Sequence, residues 1–138
     1  MPSSTDSAAI PRWSWESFEK TKKKLHDEGI LSIRIVSGSM TPLLGIDEIF
    51  KIRPVTRPLQ RFDLVVFFTD GAFICHYVWN INQQVWEGNE RRIVTRSLHS
   101  LHDDFPVRES HVLGVLSERA ISPWTKAKII FRNIRLRK

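Results

Sequence analysis

The chain has 138 residues, of which 41% are apolar and 26% charged, and this excludes disordered, collagen-like and disulfide-scaffold classes in favour of one globular domain. The formal charge is +6 at pH 7, but residues 1–125 carry 15 basic and 15 acidic side chains, so all of the excess lies in residues 126–138. Because the rest of the chain offers no base-reading element, a nucleic-acid partner is not expected.

Signals for membrane insertion and secretion are weak along the whole sequence. The longest uninterrupted apolar run, residues 64–68, compares with about 20 residues for a membrane-spanning helix, and no N-terminal stretch has the pattern of a signal peptide. The one cysteine, Cys75, has no partner within the chain for a disulfide, which favours a reducing compartment. We therefore expect a cytoplasmic protein without a transmembrane segment, with peripheral attachment to a membrane as the remaining option.

The first predicted element is a helix over residues 14–28, which follows a small, polar and flexible leader at residues 1–12. Apolar side chains recur at helical spacing on one face of it: Trp15, Phe18 and Leu25. Ser14 is a favourable N-cap because its hydroxyl can accept from a free N–H of the first turn, and Gly29 is a favourable C′ residue because it adopts positive φ readily. The domain is expected to extend over residues 13–125.

After this helix the apolar period changes from 3.6 to 2, which predicts strands. Asp70-Gly71 is a strong signal for a two-residue hairpin turn. The predicted strands cover residues 31–35, 49–52, 64–68, 72–81, 91–97 and 112–120, with a short one at 85–86. Residues 123–138 fit either a short basic helix or a strand, and residues 126–138 are predicted to form a basic C-terminal tail. The fold class is therefore mostly β with one N-terminal helix.

The segment Ser37-Gly38-Ser39-Met40-Thr41-Pro42 follows the first predicted strand. A serine beyond a strand and beside a glycine can expose its hydroxyl at a tight turn, where neighbouring backbone N–H groups face the same space, as an oxyanion hole requires. Ser-Gly-Ser also occurs in many plain turns, so a purely structural turn stays open on these residues alone.

This segment resembles the nucleophile box of signal peptidase I and its relatives, including the LexA-type self-cleaving repressors. Three further stretches resemble strands of the family. Residues 45–50 resemble its Gly-Asp-x-Val motif, residues 112–116 its Val-Leu-Gly-Lys motif, and residues 61–67 its Arg-Gly-Asp-Val-Val-Val-Phe motif, with Phe62 where the family has Gly. The resemblance covers about residues 31–120. It implies a coiled β-sheet that forms a partly open barrel, Ser39 as nucleophile, and an oxyanion site formed by the Ser37 hydroxyl and the Ser39 backbone N–H.

The general base implied by the resemblance is a histidine. Bacterial members and LexA-type proteins use a lysine at the start of the long strand, but no lysine occurs between Lys51 and Lys126. His76 lies at the corresponding position, within Ile-Cys-His-Tyr-Val, and this stretch resembles the Ile-x-His-Arg-Val segment of the endoplasmic-reticulum and archaeal signal peptidases. A histidine suits a base at neutral pH because its reference pKa is about 6.5.

The orienting acid is expected at Asp103 or Asp104. The endoplasmic-reticulum type has Thr-Lys-Gly-Asp-Asn-Asn-x-x-Asp-Asp, and residues 95–104 align with it without gaps, so that the two closing acids coincide. The chain departs from the pattern at Ser97-Leu98, which replaces Gly-Asp and removes the family's first acid. This departure supports an alternative, a catalytically weak or inactive peptide-binding or regulatory module with the same fold.

The resemblance predicts a serine endopeptidase that cleaves leader or signal-type peptides with small residues beside the cut. The peptide or preprotein substrate would bind as an extended strand, a form of β-augmentation. The residues expected to line its site are Ile35, Val36, Phe73 and Ile74, with Met40 either beneath the nucleophile turn or in the groove. The basic tail, with Trp13, Trp15 and Phe18, is suited to contact with an anionic membrane.

The same residues also fit other interpretations. Taken alone, His76 fits a structural histidine better, and the serine segment and the aligned acids are what favour the base; Asp103-Asp104 also fits a solvated turn. His99 and His102-Asp103 bring together residues that bind metals, but no further ligand group follows at a recognisable spacing, so no metal or other cofactor is expected. A LexA-like DNA-binding regulator is disfavoured because one helix before residue 30 is too little for a helix-turn-helix.

Overall fold

Seven strands and two helices make up the part of the chain that the computed structural model describes, which is residues 13–35, 40, 43, 45, 48–82, 91–98, 100, 102–104, 106–117 and 119–136. In chain order they are α1 (Trp15–Glu28), β1 (Leu31–Ile35), β2 (Glu48–Arg53), β3 (Leu64–Thr69), β4 (Ala72–Asn82), β5 (Arg92–Arg96), β6 (Val107–Arg108), β7 (Val112–Leu116) and α2 (Pro123–Leu136). A single 3₁₀ turn, Glu109–His111, joins β6 to β7. The prediction of a mostly β protein is confirmed.

The strands form one antiparallel sheet in the order β1-β2-β7-β3-β4-β5-β6. The last strand in sequence, β7, thus lies in the interior of the sheet between β2 and β3, while β1 and β6 form its edges. The longest strand, β4, pairs with β3 on one side and with β5 on the other. Its central residues are consequently held by hydrogen bonds to two neighbouring strands, which makes β4 a rigid platform for functional side chains.

The predicted N-terminal helix is confirmed as α1. Ser14 caps it, since its hydroxyl accepts a hydrogen bond from the Ser17 N–H at 3.0 Å. Gly29 ends it with φ of 78°, a left-handed conformation that costs glycine little. Phe18 and Leu25 are buried against the sheet, as their helical spacing predicts.

Gly114 on β7 allows α1 to approach the sheet closely. A Cβ at this position would lie 2.5 Å from the carbonyl oxygen of Arg53 and 2.8 Å from Cδ2 of Leu25. We expect Gly114→Ala to lower the free energy of unfolding by about 1–3 kcal/mol, because backbone and core must both shift, and urea denaturation measures this loss. Gly45→Ala is the control, since there the nearest atom is the end of the flexible Glu48 side chain; a larger loss at Gly45 than at Gly114 would contradict the expectation.

The C-terminal region differs from its prediction. Residues 123–136 form a second helix, which is one of the two alternatives that the sequence left open there, and the predicted tail boundary at 126 lies inside this helix. Ile129 is 1% exposed and packs in the main core cluster together with Ile121, Met40 and Leu98. The helix forms because one of its faces covers apolar surface of the sheet, and a basic composition alone does not show that face.

Smaller differences concern strand lengths. β7 ends at Leu116, before the predicted residue 120, and the two-residue strand β6 was not predicted at all. The hairpin signal is confirmed, since Asp70 and Gly71 have φ of 48° and 76°. The predicted leader at residues 1–12 and short strand at 85–86 lie outside the described residues.

Candidate active site

His76 lies near the middle of β4, opposite Val65 of β3. Because side chains alternate along a strand, His76 shares a face of the sheet with Ile74 and Val78, whereas Cys75 and Tyr77 belong to the core cluster on the other face. Its ring meets the Phe67 ring edge to face, with centroids 5.9 Å apart, and its side chain is 13% exposed. The imidazole is thus held in a largely apolar setting but remains reachable from solvent.

Asp104 is the carboxylate that orients His76. Its Oδ2 lies 2.6 Å from Nδ1 of the imidazole and also accepts a hydrogen bond from the hydroxyl of Thr95 at 2.8 Å. The backbone N–H of Asp104 donates to the carbonyl of Thr95 at 2.9 Å, and Thr95 itself is fully buried on β5. Hydrogen bonds to Thr95 therefore hold both the backbone and the carboxylate of Asp104 in place.

This contact determines the protonation pattern of a neutral His76. With a carboxylate as the partner of Nδ1, the ring proton resides on Nδ1, and Nε2 carries the lone pair. A histidine in this state can accept a proton at Nε2, and the carboxylate stabilises the imidazolium that results. The pair His76–Asp104 is consequently arranged as a general base.

Asp103 has a different partner. Its Oδ1 accepts from Nε of Arg96 at 2.7 Å, and its side chain is 53% exposed. Arg96 is buried on β5, where its guanidinium carbon lies 4.2 Å from the centre of the Trp79 ring. Asp103 therefore compensates a buried cation. Of the two acids that the sequence offers as the partner of His76, Asp104 is the one that contacts the imidazole.

The nucleophile segment can be placed only in part. Ser37, Ser39 and Val36, together with His99 of the metal alternative, lie outside the described residues, as does the side chain of Ile35. Met40 is described and is 0% exposed within the main core cluster. Met40 is therefore a core residue and not part of the open groove that was one of its two predicted roles.

The two predicted substrate-binding residues on β4 face opposite ways. Ile74 is half-buried on the same face as His76. Phe73 instead packs with aromatic rings at the N-terminal helix, 5.2 Å from the Trp13 ring and 5.6 Å from the Phe68 ring between centroids. Of these two residues, only Ile74 thus lies on the face of β4 from which a substrate could reach His76.

Cys75 does not contribute a nucleophile. It lies on the opposite face of β4 from His76 and is 2% exposed, as the alternation of the strand predicts. Burial raises the pKa of its thiol to about 12, so at neutral pH it remains protonated. Elsewhere in the described ranges, no three His, Cys, Asp or Glu side chains converge as metal ligands would.

Sequence reasoning missed the supporting roles of Thr95 and Arg96. Both belong to the segment aligned with the endoplasmic-reticulum type, and both are polar residues on a strand whose neighbours are apolar. That pattern could have indicated buried hydrogen-bonding roles, because polar groups are buried mainly where a partner satisfies them. Their partners, however, come from the loop 102–104 and appear only in three dimensions.

In comparisons with known proteins, no family model, curated protein or solved structure matches the chain. Within the residues that the structure describes, neither helix has the length and apolar character needed to cross a membrane.

Proposed function

We propose that the protein is a serine endopeptidase of the signal-peptidase-like superfamily, with Ser39 as nucleophile and His76 as general base. The observation that carries this proposal is the 2.6 Å contact between Nδ1 of His76 and Oδ2 of Asp104, with Thr95 holding the same carboxylate oxygen. A serine hydroxyl needs such an oriented base because its own pKa lies far above neutral pH. The resemblance of residues 31–120 to this superfamily supplies the serine.

A backbone feature also supports the resemblance. Phe62 stands where the family's strand motif has glycine, and its φ is 77°, in the left-handed region that non-glycine residues adopt only at a cost of roughly 1–2 kcal/mol. Its N–H donates to the carbonyl of Val78 at 2.6 Å, and the N–H of Val78 donates to the carbonyl of Asp63 at 2.8 Å. The chain thus keeps the conformation that a glycine would favour, although the residue has changed.

In the proposed reaction, the Ser39 hydroxyl attacks the peptide carbonyl while Nε2 of His76 accepts its proton. Asp104 stabilises the imidazolium, and the Ser37 hydroxyl with the Ser39 backbone N–H stabilises the oxyanion. His76 then gives the proton to the departing amine, which leaves an acyl ester on Ser39. A water molecule, deprotonated by His76, attacks this ester, and His76 returns the proton to the Ser39 oxygen as the second product leaves.

The proposed substrate is a leader or signal-type peptide with small residues beside the cut. The outer edge of β1 has no strand paired to it among the described residues, since β1 ends the sheet. An extended peptide can add to such an edge through main-chain hydrogen bonds. This edge belongs to the strand directly before the nucleophile segment in the chain, which is where the proposal needs the peptide to bind.

A non-catalytic peptide-binding module is the second candidate. The observation that favours it is Leu98, which stands at the position of the family's first acid and is buried in the core cluster with Ile121 and Ile129. A carboxylate at this position is therefore replaced by an apolar packing residue. The same open edge of β1 would serve such a module equally well.

The test is incubation of the protein with a library of leader peptides that vary in their small residues, with products identified by mass spectrometry. We expect discrete cleavage products from wild type and none from Ser39→Ala, which is the control for contaminating peptidases. Identical products from both proteins would contradict the proposal. Peptide binding by fluorescence anisotropy without cleavage by wild type would instead establish the second candidate.

A further inference from the structure

The helix α2 has two apolar faces. One packs inward through Ile129, which is 1% exposed. On the other side, Trp124, Phe131 and Ile134 are 70%, 61% and 54% exposed. At 100° per residue, positions 124, 127, 131 and 134 fall within about 80° of one another, so they form a continuous stripe along the helix. We refer to Trp124, Ala127, Phe131 and Ile134 as the outer stripe. An amphipathic helix of a globular protein usually needs only the first of these two faces.

Basic side chains flank the outer stripe, and acidic ones are absent from the helix. Residues 123–136 contain four basic residues and no Asp or Glu; the three whose side chains the structure describes are Lys126, Lys128 and Arg132. In the part of the chain that the structure describes, none of these three cations pairs with a carboxylate. The six basic residues of 126–138 also account for the whole excess charge of the protein. Apolar surface and positive charge thus coincide on one helix.

We propose that the outer stripe of α2 docks the protein on an anionic lipid surface. Helices that lie in the membrane interface combine an aromatic and aliphatic face with flanking lysine and arginine, and they bind anionic headgroups through those cations. Trp124 at the start of the stripe suits the headgroup region, because an indole is apolar over most of its surface and has one polar N–H. Lys128 extends over the Trp124 ring, 5.5 Å from its centre, beside the lipid-facing side.

The charge of α2 favours a lipid surface over a second copy of the chain as the partner of the outer stripe. Pairing two α2 helices through their outer stripes would bring the flanking cations of both together without acids to compensate them. Repulsion between like charges opposes such a dimer, whereas an anionic headgroup layer supplies the missing negative charge. The charge of α2 therefore favours lipid.

The docked helix contacts residues beside the candidate active site. Asn133 of α2 accepts a hydrogen bond from Nη2 of Arg96 at 3.4 Å, and Arg96 in turn binds Asp103, the neighbour of Asp104. Docking through α2 would thus hold the His76 site at a constant position relative to the membrane surface. The docking itself does not depend on catalysis, so its test needs no peptidase activity.

The test is sedimentation of the full chain with vesicles of phosphatidylcholine alone and with equal parts of phosphatidylglycerol. We expect co-sedimentation only with the anionic vesicles, weakened by salt. The double variant Phe131→Gln/Ile134→Gln should bind at least about tenfold more weakly. Its control is Ile49→Gln/Val55→Gln, which removes two exposed apolar side chains elsewhere and should bind like wild type.

A second pair of variants separates local from overall charge. Lys128→Gln/Arg132→Gln should weaken binding about fivefold for each charge removed. Lys20→Gln/Lys24→Gln on α1 gives the protein the same net charge as that variant and should change the affinity for anionic vesicles less than twofold. Equal binding to neutral and anionic vesicles would overturn the proposal, and so would an equal loss of binding in both pairs of variants. A dimer in analytical ultracentrifugation that Phe131→Gln/Ile134→Gln dissociates would overturn it as well. Circular dichroism confirms that each variant is folded.

Discussion

Ser39→Ala, His76→Ala and the double variant are expected to lower kcat for a leader peptide by the same factor, on the order of 10⁶. In the proposed mechanism the nucleophile and its base act as one unit, because a serine without its base is a poor nucleophile and a base without its serine has no proton to accept. The second substitution should therefore add almost nothing to the first. Single-turnover rates at saturating peptide measure all three losses.

The control for this series is His26→Ala. His26 is an exposed histidine on α1 and should leave kcat unchanged. Losses that multiply in the double variant would show that Ser39 and His76 act independently. A Ser39→Ala protein that retains more than background activity would exclude Ser39 as the nucleophile.

Asp104→Asn is expected to lower kcat by about 10⁴, whereas Asp103→Asn should change it by only a few-fold. An asparagine at position 104 can donate its amide N–H to Nδ1 of His76, which stabilises the tautomer with its proton on Nε2 and removes the acceptor that Ser39 needs. Asp103 contacts Arg96 at 2.7 Å and has no contact with the imidazole in the described structure. The two adjacent carboxylates thus form a matched pair with the same charge change.

The readout is kcat for both variants, together with the free energy of unfolding from urea denaturation. Asp103→Asn should cost about 1–3 kcal/mol of stability, since the asparagine can still accept from Arg96 but leaves that buried cation without its counter-charge. Equal losses of kcat at the two positions would contradict the assignment of Asp104. A large loss at Asp103 alone would transfer the orienting role to that residue.

Local sequence signals predicted α1 and most of the sheet. The cap Ser14, the end at Gly29 and the hairpin Asp70-Gly71 depend on the conformational preferences of a few consecutive residues, which the local sequence shows directly. The strand β6 lacks such a signal, because its two residues are extended only through pairing with β5. The helix α2 was ambiguous for a related reason, since the apolar surface that its inner face covers comes from distant parts of the chain.

The candidate site likewise has some features that the local sequence predicts and others that depend on the tertiary structure. The strand position of His76 and its separation from Cys75 follow from alternation along β4, which is a local property. Which of two neighbouring carboxylates reaches the ring could not be predicted, because it depends on where the loop 102–104 lies against β5. The hydrogen bonds of Asp104 to Thr95 and of Asp103 to Arg96 decide it.

The sequence by itself determined a mostly β domain, the position of His76, and a neutral body followed by a basic C-terminal stretch, because alternation, capping and charge are properties of neighbouring residues. Only the tertiary structure decided that Asp104 orients the histidine, that Met40 is buried, and that the basic stretch is a helix with one face in the core and another in solvent. These features depend on contacts between segments far apart in the chain, and such contacts exist only once the sheet has formed.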